Sequence, residues 1–288
     1  MPHIVLLLAS ALGLSAAQPD AVIQNIYPTT IAPGDEDFSC GPETNTTTDG
    51  GTDVHITNVS VPTLTLQQAG DSPSSTAVIV MPGGGYEILS YIKEGEAICE
   101  YLNELEIDCF LLKYRVPARP DEEGMPWSWA PLMDIQRSMG LARSNANNYK
   151  KVGAMGFSAG GHLTTHVSTT GWQERLYAPI DGSDKESARP DFSVLIYPAY
   201  LTPDGPTTTN VAEEVVPDKD TPPTFSVQTQ DDGFLSALGF YVNCTSVGVP
   251  AEMHLFAEGG HGYGMCDDDS NALCEWPERL ASWLQTQI

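Results

Sequence analysis

A serine hydroxyl attacks a carbonyl only when a base can take its proton, an acid can orient that base, and nearby donors can hold the oxyanion that forms. This chain carries residues for each role. Ser158 lies in Val152-Gly-Ala-Met-Gly-Phe-Ser-Ala-Gly-Gly-His-Leu163, where an apolar run leads into Gly-x-Ser-x-Gly and then into a helical pattern. Gly156 and Gly160 let strand and helix approach closely and push the serine out at the helix N-terminus, where peptide dipoles favour developing negative charge. The bare five-residue pattern is weak; its strand–turn–helix setting makes it the strongest signal in the chain. The expected base is His261, flanked by glycines in Glu258-Gly-Gly-His-Gly-Tyr-Gly264 after the apolar run Ala251–Phe256. The expected acid is one of the pair Asp231-Asp232, which follows the run Thr224–Thr229. The chain order is therefore Ser, acid, His.

Oxyanion donors are expected from the amide of Ala159, after the serine, and from Gly84 and Gly85 in Met81-Pro-Gly-Gly-Gly-Tyr86. Glycine lets backbone approach a substrate without a Cβ in the way. A phosphate loop fits poorly, because no Gly-Lys-Ser/Thr follows. His162 and His166 lie along the helix after Ser158 and read as packing residues, since the helix turns them away from the reacting oxygen. His55 lies in a Thr-rich loop and His254 within a strand. Tyr86, Trp127, Trp129 and Tyr263 stand on loops beside the expected site, where aromatic faces can stack on a sugar.

The elements that must position these residues alternate. Short apolar runs recur at Ala77–Met81, Cys109–Leu112, Val152–Phe157, Phe192–Tyr197, Thr224–Val227 and Ala251–Phe256, with two shorter strands at Ile56–Val61 and Thr63–Leu66. Helical spacing fills Lys93–Leu105, Asp134–Asn145 with Asp134 as N-cap, Ser158–Ser168, Leu235–Val247 and Glu275–Gln285. Strands alternating with helices predict an α/β fold: an open, mainly parallel sheet with right-handed crossovers and its sites at the carboxyl ends of the strands. The Pro-rich connections Arg115–Pro131 and Ala199–Pro223 are long enough to be functional.

Residues 1–17 read as a secretory signal peptide, too short in its apolar stretch to span a bilayer. Residues 18–55 read as an irregular Thr/Pro-rich extension tied down by Cys40, and 56–288 as a single domain. Six cysteines in a secretory chain suggest disulfides, with the local pair Cys266–Cys274 favoured. No spacing suggests a metal site, and the acidic run Asp267–Asp269 reads as solvated. Asn45, Asn58 and Asn243 head glycosylation sequons. With 13 basic and 38 acidic residues the net charge is −25. Nucleic acid and anionic membrane are thereby disfavoured as partners, and neutral esters are favoured over acidic ones.

The series Pro82-Gly-Gly-Gly-Tyr, Glu94-Gly-Glu, Leu112-Lys-Tyr-Arg-Val-Pro, Ala130-Pro-Leu-Met-Asp-Ile-Gln-Arg, Gly156-Phe-Ser-Ala-Gly-Gly-His-Leu, Gln228-Thr-Gln-Asp-Asp and Gly259-Gly-His-Gly resembles the α/β-hydrolase esterases of the acetylxylan-esterase-like (BD-FAE-like) group. The likeness runs from about Val54 to the C-terminus. It implies an α/β-hydrolase fold with about eight strands and helices on both faces. It also implies a carboxylesterase without cofactor, of a kind often acting on acetyl or feruloyl esters of carbohydrates; the signal peptide makes it a secreted one, and the mechanism needs no metal. Its pattern carries the triad onto Ser158, Asp232 and His261, preferring Asp232 to Asp231. The cysteines, the acidity and the Thr-rich extension depart from that pattern and bear on the substrate rather than the mechanism. Two rival readings are a serine peptidase of the prolyl-oligopeptidase type, for which the chain lacks room for a propeller, and a secreted binding module on a hydrolase scaffold.

Overall fold

The computed structural model describes residues 21–72, 74–120, 125–266 and 271–288; the expected signal peptide and the run Asp267–Asp269 lie outside them. Eleven strands are found among these residues: β1 (Val22–Asn25), β2 (Thr44–Thr48), β3 (Asp53–Thr57), β4 (Thr63–Gln67), β5 (Thr76–Met81), β6 (Leu89–Ser90), β7 (Asp108–Lys113), β8 (Lys151–Phe157), β9 (Ser193–Ile196), β10 (Thr224–Thr229) and β11 (Ala251–Phe256). The helices are α1 (Ala97–Glu104), α2 (Trp129–Arg143), α3 (Ala159–Ser168), α4 (Leu235–Ser246) and α5 (Trp276–Leu284). Eight strands form one sheet in the order β1-β4-β7-β5-β8-β9-β10-β11, and β2-β3-β6 form a small second sheet. The pairs from β7 through β11 are parallel, whereas β1 and β4 run antiparallel at the other edge. This is the α/β-hydrolase architecture.

The apolar runs become strands because both faces of the sheet are covered. Every residue of β5 is buried, and its side chains alternate. Ala77, Ile79 and Met81 join Leu132, Ile135 and Leu163 of α2 and α3 on one face. Val78 and Val80 join Leu102 of α1 and Trp276 and Leu280 of α5 on the other. This two-residue alternation sets the layers.

Helix α2 begins five residues earlier than expected, at Trp129, with Pro131 in its first turn where no amide is needed. Asp134 is therefore not an N-cap but an interior, fully buried carboxylate. It accepts from the Arg115 guanidinium Nε at 2.9 Å, from the Arg115 amide at 2.9 Å and from the Tyr27 hydroxyl at 3.0 Å. Burial pushes its pKa up, against the pull of the Arg115 charge. Asp134→Ala would leave the buried Arg115 guanidinium with Asp35 alone, at 3.3 Å and shared with Arg119, so we expect a loss of about 3 kcal/mol in urea denaturation.

The described part of the expected irregular extension, residues 21–55, is only partly irregular. Strand β1 pairs with β4, β2 and β3 pair with each other, and Ile26, Tyr27 and Ala32 enter the core. Threonine-rich β2 is exposed almost throughout, so its strand rests on ladder bonds rather than on the hydrophobic alternation that sequence reading seeks. Cys99 pairs with Cys109 and Cys266 with Cys274, while Cys40 and Cys244 are unpaired. The anchor of the N-terminal segment is not Cys40 but charge. Arg119 donates to both oxygens of buried Asp35, and Arg137 Nε donates to the Ile26 carbonyl. Among the described residues, no helix is long and apolar enough to cross a membrane.

Candidate active site

Four loops at the carboxyl edge of the large sheet meet at Ser158. The serine caps α3 directly after β8 with φ +50° and ψ −116°, a conformation that costs a side-chain-bearing residue on the order of 1–3 kcal/mol and is kept where a side chain must be aimed. The turn is so tight that a Cβ on Gly156 would lie 2.0 Å from the Gly160 carbonyl oxygen. His261, on the loop after β11, approaches Ser158 with its Nε2 2.7 Å from the serine Oγ. Its Nδ1 lies 2.6 Å from Asp232 Oδ2, after β10. The neighbouring carboxylate does something else: Asp231 accepts from the amides of Gly259 and Gly260, at 3.3 and 2.9 Å, and so holds the backbone of the histidine loop. The Thr229 hydroxyl adds a 2.8 Å bond to the Gly260 carbonyl.

Burial of His261 opposes its protonation, but Asp232 and then Glu94 outweigh that cost, so its pKa is raised above the ordinary 6.5. The imidazolium is thus favoured as an intermediate, and the neutral base needs a somewhat higher pH. On the far side of the serine, the glycine loop after β5 takes the form that only glycine permits at Gly84. Its φ is +130°, and a Cβ there would strike the Ile88 carbonyl. Among the described residues the amides of Gly84, Gly85 and Ala159 have no protein acceptor, which is the condition of a donor kept for a ligand.

The expected aromatic residues separate. Tyr86 is fully buried, its hydroxyl 2.8 Å from His162 Nδ1, so it braces the glycine loop from behind and offers no face to a ligand. Trp129 is also buried, at the start of α2, donating to the Pro120 carbonyl and packed near Arg115. Both were expected to line the site; their burial removes them from it. Trp127 is half-buried, stacked on the His162 ring and edge-on to Tyr200. Tyr263 lies edge-on to Tyr197 with ring centroids 4.3 Å apart. His162 and His166 are packing residues as expected: burial lowers both pKa values, that of His166 to about 3.

Sequence reasoning missed Tyr200. It is an exposed aromatic on the connection after β9, its hydroxyl 3.6 Å from where a Cβ on Gly85 would stand. The signal was its place just beyond a strand's carboxyl end, in the long Pro-rich connection. With Pro198, Pro203, Pro206 and Gln228 it lines a cavity of about 370 Å³ that reaches Asp232 and His261. Among the described residues no three His, Cys, Asp or Glu side chains converge as metal ligands.

Known proteins resemble the chain in sequence and in fold. It is 27% identical over 222 residues to an acetylxylan esterase of Xylanibacter ruminicola, covering 67% of this chain and 42% of that protein. It is 28% identical over 237 residues to endo-1,4-beta-xylanase B of Butyrivibrio fibrisolvens, covering 73% of this chain and 36% of that one. The chain thus spans less than half the length of these curated relatives. The crystal structure of an acetyl ester-xyloside bifunctional hydrolase from Caldicellulosiruptor lactoaceticus superposes with a TM-score of 0.71 at 27% identity, over 94% of this chain and 98% of that one. The chain has the α/β-hydrolase fold and is similar in sequence to esterases that share it. No family model matches it. In this α/β-hydrolase fold the glycine loop after β5, the serine elbow after β8 and the histidine loop after β11 stand on strands of one parallel array, so the sheet itself sets their spacing.

Proposed function

We propose that the protein is a secreted serine carboxylesterase that removes small acyl groups, acetyl or feruloyl, from neutral carbohydrate esters. The observation that carries this reading is the line Asp232–His261–Ser158, with hydrogen-bond distances of 2.6 and 2.7 Å, ending on a serine at a helix N-terminus. His261 takes the Ser158 proton as the oxygen attacks the ester carbonyl. The amides of Gly84, Gly85 and Ala159 receive the oxyanion. Asp232 stabilises the imidazolium, which then gives its proton to the leaving alkoxide. Water repeats the sequence on the acyl-serine and releases the acid.

The substrate side of the proposal draws on the names of the relatives and on the cavity beside His261. Its walls are mostly uncharged, with prolines, glycines, Tyr200 and the polar Thr202, Gln228 and Ser236, suited to a neutral alcohol, and the net charge of −25 repels anionic ones. The test is a product screen with the purified chain on acetylated xylan, feruloylated sugars, p-nitrophenyl acetate, a proline amide and unacetylated xylan. Acetate or ferulate release is the expected result. Cleavage of the amide alone would make it a peptidase. Shortening of unacetylated xylan would transfer to this chain the activity named for the Butyrivibrio relative. No product from any of them, with no labelling by a fluorophosphonate, would leave a binding module.

A further inference from the structure

The oxyanion loop and the histidine loop leave the sheet from β5 and β11, with three strands between them. A buried bridge crosses that gap. The Gly83 amide donates to Glu94 Oε2 at 2.7 Å, the Tyr197 hydroxyl donates to Glu94 Oε1 at 2.8 Å, and the Gly264 amide donates to the Tyr197 oxygen at 3.0 Å. Gly83 precedes the two glycines assigned to the oxyanion, and Gly264 follows His261 by three residues. Tyr197 is fully buried, and its ring centroid lies 4.9 Å from that of the imidazole. At Gly83 the packing is close enough that a Cβ would stand 2.7 Å from both Glu94 Oε2 and Ser158 Cβ. Any shift of this amide therefore reaches the serine.

Glu94 is an expensive residue to keep here. It is 4% exposed, and among the described residues no lysine or arginine pairs with it. It rides on a single π-type turn, Ile92–Glu96, of the kind found at functional sites. The small sheet fixes that turn, because Asp53 of β3 accepts from the amides of Ile92 and Lys93 at 3.1 and 3.0 Å. A leucine would serve the core better than a lone carboxyl unless the carboxyl acts on something.

We propose that Glu94 and Tyr197 are positioning residues for the ester hydrolysis, a buried strut that holds the oxyanion amides and the His261 imidazole at one separation. The inference rests on the assignment of Ser158 and His261 made above. A tetrahedral intermediate needs the donors and the base at once, and a misplacement of about 1 Å can cost on the order of 100-fold in rate. The titratable groups facing Glu94 are Tyr197, His261, Asp53, Tyr114 and Tyr263, and those facing His261 are Asp232, Glu94 and Tyr197. Removing the Glu94 charge therefore withdraws support from the imidazolium and lowers the pH at which the neutral base appears.

The experiment compares the full chain with Tyr197→Phe, Glu94→Gln and their double variant, using paraoxon to titrate reactive serines and p-nitrophenyl acetate to measure turnover per titrated site. Glu94→Gln keeps an acceptor for the Gly83 amide but loses the charge; Tyr197→Phe keeps the ring and cuts the strut. Each single variant should lose about 10–100-fold in kcat with little change in KM. The double variant should lose no more than the worse single one, because both act through one connection. In Glu94→Gln the acid limb of the pH profile should move to lower pH. If both single variants retain parental kcat per titrated site and Glu94→Gln retains the parental acid limb, the strut has no positioning role. A loss that vanishes on titration overturns it equally, since that reports only misfolded protein. Parental turnover in Ser158→Ala would instead overturn the nucleophile assignment, and this inference with it.

Discussion

Ser158→Ala is expected to lower kcat on p-nitrophenyl acetate by a factor of about 10⁴–10⁶, with KM close to that of the parent. The size follows from the triad acting as a unit: without the Oγ, neither His261 nor the oxyanion amides have a covalent intermediate to act on. Stopped-time assays of ester turnover, corrected for the uncatalysed rate, measure it. The fold should be untouched, because among the described residues the Oγ bonds only His261 and its removal strands no buried charge. The strain at φ +50° gives a second reading of the same position. Alanine keeps the Cβ and so keeps the strain. Ser158→Gly removes it and is expected to be as inactive as Ser158→Ala yet more stable than it by about 1 kcal/mol in urea denaturation. An inactive variant that outlasts its neighbour on unfolding separates a residue held for chemistry from one held for packing.

The elbow was legible because its chemistry and its geometry use the same residues. Gly156 and Gly160 are needed for the close approach of β8 and α3, and the same close approach exposes Ser158. His261 was legible for a related reason, since a histidine among four glycines beyond a strand has little to pack against. The choice between Asp231 and Asp232 could not be made from the residues, because two adjacent carboxylates differ only in the direction each side chain leaves the turn. Burial was the other blind spot. Tyr86 and Trp129 stand in loop sequence beside the site, yet the chain folds them under Tyr200 and Arg115 respectively. Glu94 stood in a quoted motif without a role, because a carboxyl between helix-like residues normally reads as solvent-facing. Only the convergence of Gly83, Tyr197 and Gly264 gives it partners. The strands β1 and β2 escaped notice for want of apolar alternation, and β3 was expected three residues late, at Ile56 instead of Asp53; their place is set by pairing and by the buried arginines that hold the N-terminal segment.

The two adjacent aspartates predict opposite outcomes for one chemical change. Asp232→Asn is expected to lower kcat by about 10³–10⁴-fold, because the amide can donate to Nδ1 and so favour the tautomer whose Nε2 carries hydrogen and cannot accept the serine proton. Asp231→Asn keeps one carbonyl oxygen that can accept the shorter bond, from Gly260, and gives up the longer one from Gly259, so the histidine loop stays anchored at one point and the loss should be about tenfold or less. The pH profile separates them further. The neutral imidazole is the base, and its pKa is raised chiefly by Asp232 against the effect of burial, so parental activity should climb through a pH above the ordinary 6.5. Losing the Asp232 charge removes that support, and the residual activity of Asp232→Asn should climb at lower pH than the parent's. Asp231→Asn leaves the imidazole's partner in place and should leave the acid limb where it was. Profiles of kcat/KM from pH 5 to 9 at constant ionic strength would read both. A shifted limb in Asp231→Asn, with a parental one in Asp232→Asn, would exchange the two assignments, because the hydrogen-bond partner of Nδ1 is the group whose charge the imidazolium feels most strongly.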